Sequence, residues 1–415
     1  MAEHVVDVEV VVVGGGIAGS ALAARLAGAG IRVLVLEQQA VFRDRVRGET
    51  VVPWGVREVV ALGVEEVLLG AGGSYAGGFI PYDETLDPAT AEATTVALSV
   101  ITPDVGGQLN VGHPQASEAL LAHAAAVGAD VRRAVADVRV TAGDAPEVSW
   151  RAGEGPNLAR CRLVVGADGR ASTVRRQLGI ALEERPAEVF GAGLLVRTAD
   201  GLAGANAFGT EGENCFLAFP REGDVTRLYL MVDIGRQPEF TGSGRTDRFL
   251  SSYRATCFPG SEAYASAEVV GPCGGAPMTD SWTLGPPAVP GAVLIGDSAG
   301  WNDPLIGQGL SIAFRDARMV SDVLLEGSDW SVGAFAGWVH ERSERMRRLF
   351  VAAHVATRLR CDFSEIGRRR RRKALDAMFT EPAVLAQVAC TLMGPEAFPA
   401  EAFSDEAVAA TLATC

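Results

Sequence analysis

The stretch that most constrains the fold is VEVVVVGGGIAGSALAARLAGAGIRVLVLE, residues 8–37. Near its beginning, residues 10–13 form an uninterrupted β-branched run, as expected for a strand buried on both faces. Gly14, Gly16 and Gly19 then form G-x-G-x-x-G, and small apolar residues follow at helical spacing. A second apolar strand ends at Glu37. This order predicts a β-α-β unit in a parallel sheet with helices packed on it.

Each part of this unit suits a dinucleotide. Gly14 permits the tight turn, Gly16 lets the backbone approach a pyrophosphate, and Gly19 allows the helix to pack closely on the strand. The helix N-terminus directs amide hydrogens and partial positive charge at the phosphates. Glu37 follows about 20 residues on, where a carboxylate accepts hydrogen bonds from an adenosine ribose. The unit predicts a site for NAD or FAD and does not separate the two.

A second strand-loop-helix pattern is CRLVVGADGRASTVRRQLGI, residues 161–180. Its short apolar strand stops at Asp168, and Ser172 and Thr173 are candidate N-caps of the helix that follows. An ordinary strand-turn-helix explains the same residues, because Asp-Gly is a common turn.

A third pattern is GDSAGWNDPLIGQGLSIAFRDA, residues 296–317. Asp297 comes directly after a buried strand, and Pro304, Gly307 and Gly309 shape the loop before an amphipathic helix. Glycines at a helix start leave backbone N–H groups free to face an anion or an electron-rich ring.

The three patterns in this order resemble the FAD-dependent aromatic hydroxylase family, whose archetype is p-hydroxybenzoate hydroxylase. The similarity runs over about residues 8–325. It implies an α/β fold with a Rossmann-like FAD-binding domain, an interleaved β-sheet substrate domain and a C-terminal helical segment. The expected bounds are 1–75, 106–180 and 286–330 for the FAD-binding domain, 76–105 and 181–285 for the substrate domain, and 331–415 for the helical segment.

The resemblance also assigns roles to single residues. Asp168 would lie near the pyrophosphate and assist FAD and NAD(P)H, and Arg47 in RVRGETVVPWG would approach the cofactor after the second strand. Asp297 would bind the ribityl hydroxyls. The ADP half of FAD would be held by Gly14, Gly16, Gly19 and Glu37. The isoalloxazine ring would lie beside Pro304, Gly307 and Gly309.

Two positions depart from the family pattern. Gly300 stands where histidine is common, and GDSAGWNDP is similar there to geranylgeranyl reductases and flavin halogenases. His113 stands where the family often has Arg or Gln, before the helix in QASEALLAHAAAVGA. It is either a flavin contact or a helix-capping residue.

Between the second and third patterns the sequence turns to short strands separated by Gly, Asp and Pro. VFGAGLLVRT, GENCFLAFP and TRLYLMVD resemble the sheet that roofs the flavin in the family. Four aromatic residues are candidate pocket walls or, alternatively, ordinary core: Phe208, Phe216, Phe219 and Tyr229.

Composition excludes several classes. With 37 Lys and Arg against 51 Asp and Glu, the net charge is −14, which disfavours binding to nucleic acid or an anionic membrane. No apolar run is long enough to span a bilayer, so a soluble, cytoplasmic protein is expected. The seven cysteines, from Cys161 to Cys415, include no CxxC pair, which argues against a metal site or a redox disulfide. The basic run at residues 368–373 is either a solvated helix face or a dock for an acidic carrier protein.

These features predict an FAD monooxygenase that consumes NADPH or NADH as a transient reductant. By the resemblance, it would use molecular oxygen through a flavin C4a-hydroperoxide. Hydroxylation, epoxidation or Baeyer–Villiger insertion are all open. The substrate would be a small aromatic or polyketide-like molecule, either free or tethered to a carrier protein. No protein nucleophile is required, because the flavin carries the chemistry.

Three alternatives stay open. A flavin halogenase is one, although that family uses a lysine and a WxWxIP motif, whereas Lys373 is the only lysine and the motif does not occur. A reductase of isoprenoid double bonds is another. A flavin-bound sensor or carrier-docking module is the third, outside enzymes.

Overall fold

The computed structural model describes residues 4–153, 155–202 and 204–414, so Cys415 lies outside the described residues. Its central sheet has six strands, parallel except for one short edge strand. This is the expected dinucleotide-binding architecture, and the α/β prediction is confirmed. In spatial order the strands are Ala288–Val289, Ala292–Leu294, Leu163–Gly166, Val10–Val13, Val33–Glu37 and Asp130–Arg133.

The two faces of this sheet are covered differently. One face packs on the helices Ile17–Gly28, His113–Ala126 and Gly309–Glu326, with Leu22 and Phe314 in the shared core. The other packs on a smaller sheet through residues such as Trp150. That smaller sheet contains His4–Asp7, Gly155–Arg160, Glu147–Ala152 and Ala136–Thr141.

The second large sheet has eight strands. The three predicted strands are present as Val189–Arg197, Asn214–Pro220 and Val225–Asp233, all antiparallel. The sequence reasoning did not predict the strand Ala205–Glu211, which carries Phe208. The remaining strands are Gly78–Pro81, Val96–Ala97, Glu268–Val269 and Gly274–Met278.

Side chains alternate between the two faces of the eight-stranded sheet. The outer face packs in an aromatic core against the helices Arg245–Ser252 and Ser261–Ala265. The opposite face packs against Leu305 of the loop after Asp297 and against the C-terminal segment. We call this opposite face the inner face, defined by Phe208, Leu217, Phe219, Tyr229 and Met231.

Two small sheets and several short helices connect the large elements. Thr50–Val51, Gln108–Asn110 and Ser74–Ala76 form one sheet, and Leu182–Glu184 pairs with Ser281–Thr283. The short helices are Pro53–Ala61, Glu65–Gly70, Pro88–Ala93, Leu98–Ile101 and Thr173–Gln177.

The C-terminal part is helical, with Ala336–Arg360, Glu365–Ala377, Pro382–Met393 and Asp405–Thr414. Among the described residues, no helix has the length and apolar character needed to cross a bilayer.

The basic run lies on the helix Glu365–Ala377 and differs from the predicted solvated face. Arg369 is exposed at 69%, but the Arg371 side chain is only 6% exposed. Arg371 donates to Asp83 Oδ2 at 2.9 Å and to Glu84 Oε1 at 2.6 Å, and Arg368 donates to Glu84 Oε2 at 2.8 Å. The prediction is therefore wrong for Arg371, because part of the run clamps the helix to the loop after Gly78–Pro81.

Candidate functional site

The glycine loop after the first parallel strand has one open position between two crowded ones. Gly14 has φ +106°, and a Cβ there would stand 2.4 Å from the Ala167 carbonyl oxygen. A Cβ on Gly19 would stand 2.0 Å from the Gly14 carbonyl oxygen. Around a Cβ on Gly16 no atom lies within 4 Å. Two glycines therefore serve packing, and the third borders free space at a helix N-terminus, which fits a phosphate group.

Glu37 holds this loop to the end of the second strand. It is buried, and its carboxylate accepts hydrogen bonds from the Gly15 amide at 2.8 Å and the Gln39 amide at 2.7 Å. A carboxylate has about four acceptor sites. Capacity for a ribose hydroxyl thus remains, and that role stays a prediction.

Asp168 caps a helix. Its carboxylate accepts from the Ser172 hydroxyl at 2.5 Å, the Thr173 amide at 2.6 Å and the Val174 amide at 3.1 Å. Ser172 is the N-cap of Thr173–Gln177, as predicted. The strand-turn-helix interpretation accounts for these contacts, and the cofactor role of Asp168 stays a prediction.

Asp297 is less engaged. Its carboxylate has one side-chain contact, with Arg170 Nε at 3.3 Å, and is 26% exposed. The loop around it is firmly tied to the second pattern, because Ser298 Oγ donates to the Gly166 carbonyl at 2.7 Å and Arg175 donates to the Ser298 carbonyl at 2.9 Å. A held loop with an accessible carboxylate suits the binding of hydroxyl groups.

A cluster of buried charged side chains holds the Asp297 loop in place. Asp316 is fully buried and accepts from the Gly296 amide at 2.9 Å, Arg342 Nε at 3.0 Å and Arg345 Nη2 at 2.7 Å. Arg342 also donates to the Gly300 carbonyl at 3.1 Å. Sequence reasoning missed this cluster. The available signal was Asp316 within the apolar face of the helix Gly309–Glu326.

The structure explains the glycine at position 300. Gly300 has φ +101°, and a Cβ there would stand 2.6 Å from the Ser281 carbonyl oxygen. A histidine would be strained and would collide with the strand Ser281–Thr283. This departure from the family pattern therefore has a local backbone cause.

The glycine-rich turn before the long helix is open toward the site. Gly307 has φ +67°, and a Cβ on Gly307 or Gly309 would meet no atom within 4 Å. Between them, Gln308 is buried and accepts from Trp54 Nε1 at 2.8 Å. Pro304 opens a short helical turn that Asp303 caps through the Leu305 amide, 2.9 Å from Asp303 Oδ1. Burial raises the pKa of Asp303 to about 6.

Arg47, His113 and Asp297 lie close enough to act on one another electrostatically. Burial and the charge of Arg47 lower the pKa of His113 to about 4, and Asp297 opposes that shift. Burial also lowers the pKa of Arg47, again opposed by Asp297. The structure thus brings three predicted cofactor residues together, and His113 is neutral at pH 7.

A network of buried charges fixes the Arg47 loop beneath the inner face. Arg227 donates to Glu49 Oε1 at 3.0 Å and to Asp44 Oδ2 at 2.5 Å, and Arg221 pairs with Glu49 at 3.4 Å. The Tyr229 hydroxyl donates to the Arg47 carbonyl at 2.6 Å. Sequence reasoning missed these partners, because they come from distant parts of the chain.

The four candidate pocket aromatics separate into two groups. Phe208, Phe219 and Tyr229 lie on the inner face and are partly accessible. Phe216 lies on the outer face, where it stacks on Phe258 with ring centroids 5.2 Å apart. The structure therefore does not bring Phe216 together with the other three, since its side chain belongs to the aromatic core.

Comparison with known proteins adds family information. The model of a family described as FAD binding domain matches residues 7–353. Rifampicin monooxygenase from Streptomyces venezuelae is 30% identical over 320 residues, which are 74% of this chain and 62% of that protein. The chain thus spans less than two thirds of that relative. A 1H-pyrrole-2-carbonyl-[peptidyl-carrier protein] chlorinase from Pseudomonas fluorescens is 27% identical over 81% of this chain and 80% of that protein.

Solved structures agree with this fold. The crystal structure of p-nitrophenol 4-monooxygenase from Pseudomonas putida DLL-E4 superposes with a TM-score of 0.79 at 17% identity. The superposition covers 94% of this chain and 99% of that one. At 17% identity, the similarity to this structure shows the fold alone.

Proposed function

The chain belongs to the FAD binding domain family and uses FAD, and on that premise we propose that it is a monooxygenase. It would oxidise NADPH or NADH and insert one atom of dioxygen into a small aromatic or polyketide-like molecule. The observation that carries this proposal is the contact of Leu305, in the glycine-rich turn, with the cluster of the inner face. The glycine-rich turn and the inner face therefore border one region.

The residues around that region suit the group. Gly16 borders open space at a helix N-terminus, and Asp297 keeps an accessible carboxylate. Gly14, Gly19 and Glu37 would hold the loop for the ADP half, and Asp168 and Arg47 are proposed to lie near the cofactor by the family resemblance. Bound and reduced FAD supplies the oxygen chemistry, which the family resemblance assigns to a C4a-hydroperoxide.

The protein's own contribution is electrostatic support and exclusion of water. The first amides of the helix Gly309–Glu326 have no partner within their helix and offer hydrogen bonds to a developing negative charge. His113 is neutral at pH 7 and adds no charge to this region. Phe208, Phe219 and Tyr229 exclude solvent from the reacting region.

The cofactor assignment is tested by two matched substitutions. Gly16 and Gly28 both have open space around the Cβ position and no positive φ. Gly16→Val should therefore fold and lose bound FAD, because the new side chain occupies the phosphate approach, whereas Gly28→Val should keep FAD. Measurements are the flavin absorbance per protein and the unfolding midpoint without cofactor. Equal FAD content in both variants would contradict the role of Gly16.

Electron supply is tested separately by anaerobic mixing. NADPH or NADH should bleach the flavin of the purified protein, faster when a substrate is present. Without a substrate, oxygen consumption should yield hydrogen peroxide. Reduction that requires a partner reductase would exclude the single-component assignment and favour a halogenase-type system.

A halogenase is the second candidate, because the chlorinase relative is matched over 80% of its length. Two observations disfavour it. Lys373, the only lysine, is exposed on the helix Glu365–Ala377. The basic run that could dock a carrier protein is partly engaged within the chain, since Arg368, Arg371 and Arg372 bind residues 83–85. We therefore favour a free small molecule over a carrier-tethered one. A halogenated product would reverse this choice, and a product with two added hydrogens would indicate a reductase.

A further inference from the structure

Arg360 is a partly buried arginine that has no acidic partner among the residues that the structure describes. It ends the helix Ala336–Arg360, and its guanidinium carbon lies 3.9 Å from the centre of the Phe208 ring on the inner face. Its side chain is partly buried and keeps some accessible surface. No ion pair among the described residues includes it.

The acids around the end of this helix are bound elsewhere. Asp362 pairs with Arg370 at 3.3 Å, and Glu188 pairs with Arg358 at 2.8 Å. The Cys215 and Cys361 thiols oppose the effect of burial on the pKa of Arg360. Burial lowers the pKa of Arg360, whereas nearby Asp316 and Glu341 raise that of Arg345. A partly buried guanidinium without a carboxylate costs folding free energy, which a ligand can offset.

The eight-stranded sheet fixes the position of Arg360. The Thr210 hydroxyl donates to the Arg360 carbonyl at 2.9 Å, and Phe208 stacks on Phe79 with ring centroids 4.7 Å apart. The neighbouring walls are Phe219, Tyr229 and Leu305, together with Phe363 from the C-terminal segment. The Arg360 guanidinium therefore lies beside the apolar and aromatic cluster of the inner face.

We propose that Arg360 is the anchor for a free carboxylate on the substrate, which is accordingly an aromatic acid. This inference rests on the proposed function, because it places the substrate against the inner face. A guanidinium binds a carboxylate with two parallel hydrogen bonds, while Phe208 and Phe219 pack on the ring. A carrier-bound thioester has no free carboxylate, so the free acid is the form that this site selects.

The test compares acids with uncharged analogues in the FAD-loaded protein. Benzoate and phenylacetate, each beside its amide, are titrated while the visible absorbance of the flavin is followed. The acid should bind roughly tenfold to a hundredfold more tightly than its amide, as expected for hydrogen bonds to a charged group. Arg360→Met should abolish that preference, Arg360→Lys should keep part of it, and Arg358→Met, a neighbour paired with Glu188, should keep all of it.

Each outcome decides the proposal. No preference for the acid in either pair, no binding of either acid, or a preference that survives in Arg360→Met would overturn the role of Arg360. Reduction of the flavin by NAD(P)H without added acid is measured in the same preparations. If reduction persists while the acid preference is absent, the carboxylate anchor is wrong and the monooxygenase proposal stands. If acids bind as expected and reduction never occurs, the monooxygenase proposal is wrong.

Discussion

The helix Ala336–Arg360 carries two buried arginines near its beginning and a partly buried one at its end, and their surroundings are opposite. Near its beginning, Arg342 and Arg345 share the buried carboxylate of Asp316, 3.0 Å and 2.7 Å away. At its end, Arg360 faces an aromatic ring and two thiols, with no acid of the described residues within ion-pair distance. The first arrangement completes the fold and the second leaves a charge for a ligand. An arginine's partners, and not its burial alone, therefore separate a structural from a functional role.

The largest effect is expected at the paired end. Asp316→Asn leaves Arg342 and Arg345 buried without their carboxylate and should lower the free energy of unfolding by about 3–5 kcal/mol. FAD should also be lost, because Asp316 holds the loop that carries Asp297. Urea unfolding of the variant is compared with Asp376→Asn, an exposed position. A loss below about 1 kcal/mol would contradict the structural role of the pair.

His113 makes the stability of the protein depend on pH. Its pKa in the folded state is about 4, below the ordinary 6.5, so the unfolded chain takes up the proton first. Stability should therefore fall as the pH is lowered from about 6.5 to about 4, by roughly 3 kcal/mol for this group alone. The measurement is unfolding at several pH values for wild type and His113→Gln, with His123→Gln on the same helix as control. Parallel curves for wild type and His113→Gln would contradict the assignment.

The helix Glu365–Ala377 allows the same comparison between a paired and an exposed arginine, with a smaller expected effect on stability. Arg371→Gln removes the partner of buried Asp83 and should cost about 2 kcal/mol, while Arg369→Gln on the exposed side should cost less than about 0.5 kcal/mol. Urea unfolding of both variants measures the difference. Equal losses would mean that the helix is not clamped through Arg371.

The smallest effect on stability is expected at the unpaired end. Arg360→Met replaces a partly buried, unpaired charge by an apolar side chain and should leave the free energy of unfolding unchanged within about 1 kcal/mol, or raise it. Arg345→Met should lower it by about 3 kcal/mol, because buried Asp316 loses a partner. Thermal and urea unfolding of the two variants measure the difference. A large loss in Arg360→Met would show that Arg360 stabilises the fold in the way that Arg345 does.

The sequence predicted the elements whose signal is local. The β-α-β unit at residues 8–37 and the three strands of the second sheet follow from apolar periodicity and from glycines at fixed spacing. The alternation of side chains along a strand also separates two of the candidate pocket residues. Phe216 and Phe219 are an odd number of residues apart in one strand, so they point to opposite faces and could not both line a pocket.

Partners that are distant along the chain were not predictable in the same way. Glu49 meets Arg227 across 178 positions, and Arg371 meets Asp83 across 288. With 36 arginines and one lysine among the basic residues, nothing in the sequence marks which of them is paired and which is free. Arg360 is distinguished only by what surrounds it in the folded protein. The domain bounds and the roles of single cofactor residues stay predictions.

The central claim, insertion of one oxygen atom into an acid held beside the flavin, is tested most directly by isotope labelling. The FAD-loaded protein is supplied with NADPH or NADH and ¹⁸O₂, and an acid that stimulates its oxygen consumption is recovered for mass spectrometry. The account predicts one ¹⁸O atom in each product molecule, with the carboxylate intact. A product that contains a halogen, a product with two added hydrogens and no label, or a product whose new oxygen comes from water would contradict it.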